Sequence, residues 1–193
     1  MPEKTKLNVD EILKAEYNYI ANTVFQANED RSRVASFYFV TVGSLVAAIL
    51  SAVFSTSNLK NISFAFFGLF IVLTILGALT LAQLARLRAA WHESAQAMNV
   101  IKDFYIKNNK DIETAFKWRL DTLPDTDKPN SIANLMAVEV AMLGAITCAA
   151  AVYFLLAALG SVEWWGWVLL LATLVAGYIA LWTWYKHLLV DNQ

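Results

Sequence analysis

Glu139 raises the first chemical question in this sequence. It stands in ANLMAVEVAMLGAITCAAAVYFLLAAL, residues 133–159, a run with no other charged side chain. A charge in hydrocarbon is costly, so such a residue usually faces a passage, binds a cation or relays a proton. Seven residues into the run, at about 1.5 Å per residue, it would lie roughly 10 Å deep. It is the candidate passage-lining group. Two plainer readings stay open. In one, the span starts nearer 136, which lets the carboxylate reach the interface; in the other, the carboxylate bonds Thr41, Ser44 or another buried hydroxyl. A coupled transporter usually shows more mid-membrane polar residues or broken helices, and no Pro interrupts this run or its counterparts.

The other chemistry-bearing residues form no site. His92 and His187 are far apart, with no Cys or carboxylate at ligand spacing. Glu93 follows His92, but position 96 is Gln, so HExxH is absent. The chain has 7 Gly, most of them inside apolar runs, which excludes a phosphate-cradling loop. No Ser lies in a GxSxG setting. Cys148 is the single cysteine, so no disulfide forms within the chain. The sequence thus predicts no catalytic residue, no metal, no cofactor and no enzyme.

Hydrophobic residues make up 58% and mean hydropathy is +0.48. Soluble domains average roughly 45–50% apolar. The excess is gathered in blocks, and the net charge of −1 leaves no basic surface for nucleic acid. Four blocks are long enough to span a bilayer as helices: about 34–55, 62–84, 133–159 and 164–185. They are continuous rather than alternating, which excludes barrel strands. The expected fold is an all-α integral membrane four-helix bundle with long cytoplasmic helical extensions. The expected divisions are an amphipathic helix over 1–33, two spans over 34–84, a helical region and linker over 85–132, two spans over 133–185 and a tail over 186–193. No short h-region with a cleavage site precedes the first span, which therefore serves as its own insertion signal.

Cationic residues set the direction. Residues 1–33 hold five (Lys4, Lys6, Lys14, Arg31, Arg33), and residues 85–132 hold eight, from Arg86 and Arg88 to Lys128. The tail holds Lys186, the first-to-second connection holds Lys60, and the third-to-fourth holds none. This asymmetry puts both termini and the central region in the cytoplasm. Trp164, Trp165 and Trp167 mark one interface of the last span, and Trp182, Trp184 and Tyr185 the other.

The cytoplasmic parts read as helices continuous with the spans. No Gly or Pro lies between Pro2 and Gly43, and Asn8 with Glu11 makes a capping pair. Leu13, Tyr17, Ile20, Val24 and Ala27 recur at alternating steps of four and three, as do Leu84, Leu87, Trp91, Ser94, Met98, Ile101 and Tyr105. Paired as an antiparallel stalk, Leu13, Tyr17, Ile20 and Val24 would face Leu87, Trp91, Met98 and Ile101. At the stalk's foot Glu29 and Arg33 are an i, i+4 pair. Glu29 and Asp30 are placed to reach Arg86 and Arg88 on the second helix. The plainer alternative is that these charges only set helix depth and direction. Residues 111–123, DIETAFKWRLDTL, read as a third helix with Asp111 as cap, lying on headgroups or on the stalk. The stretch PDTDKPNS, 124–131, is a turn-rich linker. Small residues recur every four positions, as Ala137, Ala141, Ala145 and Ala149, as Gly144 and Cys148, and as Ser44, Ala48 and Ala52 with Gly43 and Ala47 beside them. They suit close helix approach, within one bundle or between protomers.

The layout of residues 9–109, an amphipathic helix running into two spans and then the long helix RLRAAWHESAQAMNVIKDFY, resembles SLATT and related four-span membrane effectors of bacterial conflict (antiphage) systems. The second pair of spans matches the four-span type. The resemblance implies an oligomer that disturbs the inner membrane when a partner signals through the cytoplasmic helices. It carries over no functional residue. The expected function is a non-enzymatic homo-oligomeric pore, channel or effector in the lipid bilayer. The alternative is a membrane-anchored module that recruits a cytoplasmic protein partner.

Overall fold

The computed structural model describes residues 8–55, 59–160 and 162–190. Lys4, Lys6 and the end of the tail, used above, lie outside them. Four α-helices account for most of the chain: α1 (Val9–Ser55), α2 (Leu59–Asn108), α3 (Ile132–Leu159) and α4 (Trp164–Val190). All four are long and apolar enough to cross a membrane.

The lengths follow from the local sequence. α1 begins where Ile12 N donates to Asn8 O at 3.2 Å. It then runs 47 residues without a proline to stop it. α2 runs 50 residues on the same terms. Ser131 caps α3 by accepting from Asn134 N at 3.2 Å. Gly160 ends it, its N–H donating to Leu156 O at 3.0 Å.

The helix expected over 111–123 does not form. Two short 3-10 helices, Lys110–Ala115 and Leu120–Thr122, replace it, with Phe116 extended between them. The cap is Asn109, whose Oδ1 accepts from Asp111 N at 3.2 Å. An isolated helix of this length is marginal in water. Side chains compete for the backbone here: Thr122 Oγ1 accepts from Arg119 N at 2.8 Å, and Arg119 pairs with Glu113.

The chain divides into two compact units. The first comprises Met1–Asp30 and Leu87–Thr126, the second Arg31–Arg86 and Asp127–Gln193. In the first, α1 and α2 run antiparallel, with Leu13 and Tyr17 near Ile101 and Tyr105, and Val24 near Trp91 and Met98. In the second, four helices close around Leu73, Leu81, Val140 and Ala141. α3 is its most buried helix, through Ala137, Ala141, Gly144 and Ala145, and α4 its most exposed.

Candidate functional site

The interior of the second unit is held in register by small residues. Gly77 of α2 and Gly144 of α3 meet so closely that a Cβ on Gly77 would lie 3.5 Å from Gly144 Cα. The Tyr38 phenol fills the remaining space and donates to Leu73 O at 3.3 Å. One turn away, the Thr74 and Thr147 hydroxyls are 3.1 Å apart. Thr147 also donates to Gly144 O at 2.8 Å. Toward the other end, Phe154 packs on Phe66 and Phe70, with ring centroids 5.1 and 5.4 Å away. α3 then meets α4 where a Cβ on Gly177 would lie 3.6 Å from Ala145 Cα.

These contacts locate Glu139. Stepping antiparallel from Gly144–Gly77 and Ala145–Gly177, it falls level with Ala82 of α2 and Thr183 of α4. That is the turn of α4 bearing Trp182, Trp184 and Tyr185. The start of α3 thus extends about two turns past the level of the aromatic ring, so distance from the helix start overstates the depth of Glu139. Its side chain is exposed, on the outer face of α3 with Leu135, Met142 and Ile146. It makes no hydrogen bond or ion pair among the described residues, so neither Thr41 nor Ser44 holds it.

The two small-residue lines part company. Ala137, Ala141 and Ala145 lie in the core, whereas Gly43, Ser44, Ala47 and Ala48 of α1 are exposed.

In the first unit the eight nominated stalk residues are placed as follows. Ile20 and Ile101 are buried, and Leu13, Tyr17, Val24, Leu87, Trp91 and Met98 are half-buried. A cleft of about 460 Å³ is lined by Leu13, Tyr17, Ile101, Tyr105 and Phe116 together with the charged Asp10, Lys14 and Lys102. A smaller one, about 120 Å³, has Val24, Trp91, Met98, Asn99 and Trp118 in its wall.

Of the boundary charges, Glu29 is exposed and makes no ion pair among the described residues, Asp30 is half-buried, and Arg33 and Arg86 are exposed. Arg88 is buried. Its Nε donates to Thr126 O at 2.9 Å, another guanidinium N–H reaches Asp125 O at 3.3 Å, and its plane sits 4.5 Å from the Trp91 ring centre. It thereby ties the linker to α2. The planar fork of arginine suits this double capture of carbonyls, which a lysine would not reproduce.

Sequence periodicity missed part of this packing. Arg88, Asn99 and Ile106 are as buried as the nominated stripe and lie one position round the helix from it. Their three-four spacing was available as a signal, but polar side chains argued against burial. Local partners account for Arg88 and for the Asn99 carbonyl, while Asn99 Nδ2 is buried with no partner among the described residues. Lys102 Nζ donates to Asn99 Oδ1 at 2.9 Å and to Trp118 O at 3.3 Å. Burial pushes the Lys102 ammonium below the usual lysine range, against the opposing pull of Asp103. His92 is likewise pushed down by burial and by the Arg88 charge. Its Nε2 accepts from Gln96 Nε2 at 3.0 Å, which fits the neutral ring.

Among the described residues no three His, Cys, Asp or Glu side chains converge as metal ligands would. No family model, curated protein or solved structure matches the chain.

Proposed function

We propose that this protein is a non-enzymatic, oligomeric, multi-pass membrane protein of the pore or membrane-disturbing effector class, worked through cytoplasmic helices. The outward position of Glu139 carries the reading. Leu73, Val140 and Ala141 fill the centre of the second unit with no exposed surface, so a passage belongs between protomers. Glu139 then stands at its cytoplasmic mouth, level with the aromatic belt, where a carboxylate ring favours cations. The exposed small residues Gly43, Ser44, Ala47 and Ala48 support close contact between copies. The Lys and Arg count puts the first unit in the cytoplasm. α1 and α2 each contribute residues to both units, so the chain itself links a signal at the first to the second. The SLATT-like layout adds a bacterial inner membrane and a defence role, by analogy.

Light scattering of the detergent-solubilised protein, corrected for bound detergent, tests assembly. The expected mass is a closed ring of roughly four or more protomers. In liposomes, Glu139→Gln should lower cation flux several-fold at unchanged yield. A monomer, or flux indifferent to Glu139→Gln, would sink the reading.

The cleft beside Tyr17, Tyr105 and Phe116 favours a second reading, a membrane-anchored module that recruits a protein partner. Tyr19, Phe25, Phe104 and Trp118 add exposed apolar surface to the same unit. Under this reading Phe116→Ala with Trp118→Ala abolishes partner capture, and no flux accompanies the wild-type protein.

A further inference from the structure

A buried amide in the first unit leaves its donor side unused. Asn99 is 1% exposed and forms part of the wall of the cavity of about 120 Å³ along Trp91, Ala95 and Met98. Its Oδ1 accepts from Lys102 Nζ at 2.9 Å. A lysine only donates, so the other amide atom is the nitrogen. That Nδ2 makes no hydrogen bond among the described residues. An unmade bond at a buried donor is costly, so this one calls for an acceptor.

Lys102 brings a charge to the same place. Two of its three protons go to Asn99 Oδ1 and Trp118 O, at 2.9 and 3.3 Å. It makes no ion pair among the described residues, because Arg119 takes both Asp103 and Glu113. Oδ1 and Nδ2 share one carbon, so a two-oxygen group bound at Nδ2 also comes within reach of Nζ. The rest of the wall is apolar, with Val24, Trp91, Met98 and Leu123 in it. A cavity of roughly 150 Å³ holds a benzene ring, and this one is close to that size. Its cover is loosely seated. Trp118 is 54% exposed, between the two 3-10 helices. Beside it Arg119 Nε approaches Asp103 Oδ1 only to 3.8 Å, and neither atom makes a hydrogen bond among the described residues.

We propose that this cavity binds a small monocarboxylate with an aromatic body, which enters as Trp118 lifts. One carboxylate oxygen accepts from Asn99 Nδ2, the other from Lys102 Nζ, and the ring lies along Met98 and Trp91. One negative charge matches the one unpaired ammonium, whereas a second would stand uncompensated among apolar side chains. The site belongs to the first unit alone and does not depend on assembly of copies.

Equilibrium dialysis of 3-phenylpropionate against the full-length protein in lipid nanodiscs tests the site. Empty nanodiscs are the blank, and 3-phenylpropanol is the uncharged analogue. Saturable uptake of the acid is expected, with the alcohol bound about tenfold more weakly or worse. Asn99→Asp keeps the acceptor for Lys102 and turns the unused donor into a second acceptor. It should lower affinity for the acid by about tenfold or more while the thermal midpoint holds or rises, a combination that a purely structural asparagine would not give. Lys102→Met keeps most of the stem without the charge and should weaken binding as much, which decides the matter should Asn99→Asp not fold. Uptake no greater than by empty nanodiscs overturns the proposal and leaves Nδ2 to water. Equal binding of the alcohol, or wild-type affinity in either folded variant, overturns it in favour of an apolar pocket without a carboxylate anchor.

Discussion

The two units bury different chemistry by different means. In the second, helices approach through glycine and alanine, and the hydroxyls of Tyr38 and Thr147 bond helix carbonyls between them, with Arg31 the one buried charge among the described residues. In the first, the buried set includes Arg88, Asn99 and Thr126, and linker carbonyls accept from Arg88. The contrast matches the surroundings proposed for each. In lipid, helix association depends on close packing and gains little from polar pairs. In water, a long cationic side chain can lie along an apolar surface and bring its head to backbone oxygens.

The comparison breaks most sharply at Gly77. A Cβ there would lie 2.5 Å from Tyr38 Oη, and the phenol is enclosed with nowhere to move. Gly77→Leu should cost about 3 kcal/mol through overpacking. Thermal unfolding in detergent followed by circular dichroism should show it, and an unchanged midpoint would refute glycine-mediated closure.

Arg88→Ala comes next. It removes two charge-assisted bonds and a ring contact, and should cost about 1.5–3 kcal/mol. The linker should be released, so trypsin should cut faster at Lys128 with helix content unchanged. Arg88→Lys should fail to restore protection. Equal cleavage in wild type and Arg88→Ala would mean that the latch is idle.

Thr147→Val sharpens the contrast from the other side. It deletes the bonds to Gly144 and Thr74 while nearly keeping the shape. A cost under about 1 kcal/mol is expected, in line with interhelical hydrogen bonds in membranes. A loss as large as that for Arg88→Ala would erase the distinction between the units.

The smallest effect concerns His92. Its folded pKa is lowered, so the unfolded chain binds the proton more readily, and stability contributed by the neutral ring is lost as pH falls below the ordinary histidine value. The group is largely solvated, so the change is slight. The thermal midpoint of the wild type should fall modestly between about pH 7 and 5.5, and His92→Gln should flatten part of that slope. Identical slopes would remove His92 from the account.

Much of the fold was legible in the sequence. The four apolar runs begin and end within a few residues of helix ends or lie inside longer helices, and Ser131 caps α3 next to the turn-rich linker. Hydropathy and the absence of proline over long stretches act locally, and local causes can be read locally. The helix expected at 111–123 failed for the opposite reason, because its amphipathic spacing lost to side chain–backbone bonds that bring Arg119, Thr122 and Glu113 together. The candidate site was legible only in part. Glu139 stands out in any reading of residues 133–159, but its depth does not. The helix start suggests about 10 Å, whereas contacts at Gly77, Gly144 and Gly177 set it level with Thr183, in the turn of α4 that bears Trp182 and Trp184.

By itself, then, the sequence determined that this chain makes four long apolar helices, that two of them continue as amphipathic helices, and that one bears a solitary carboxylate. Periodicity and composition suffice for that, because each turn of helix satisfies its own backbone. The tertiary structure decided which small-residue line turns inward, that Arg88 of α2 holds the linker, and that Glu139 and Arg86 face outward. Those outcomes depend on which residues of other helices arrive opposite, and no single helix encodes its neighbours' positions.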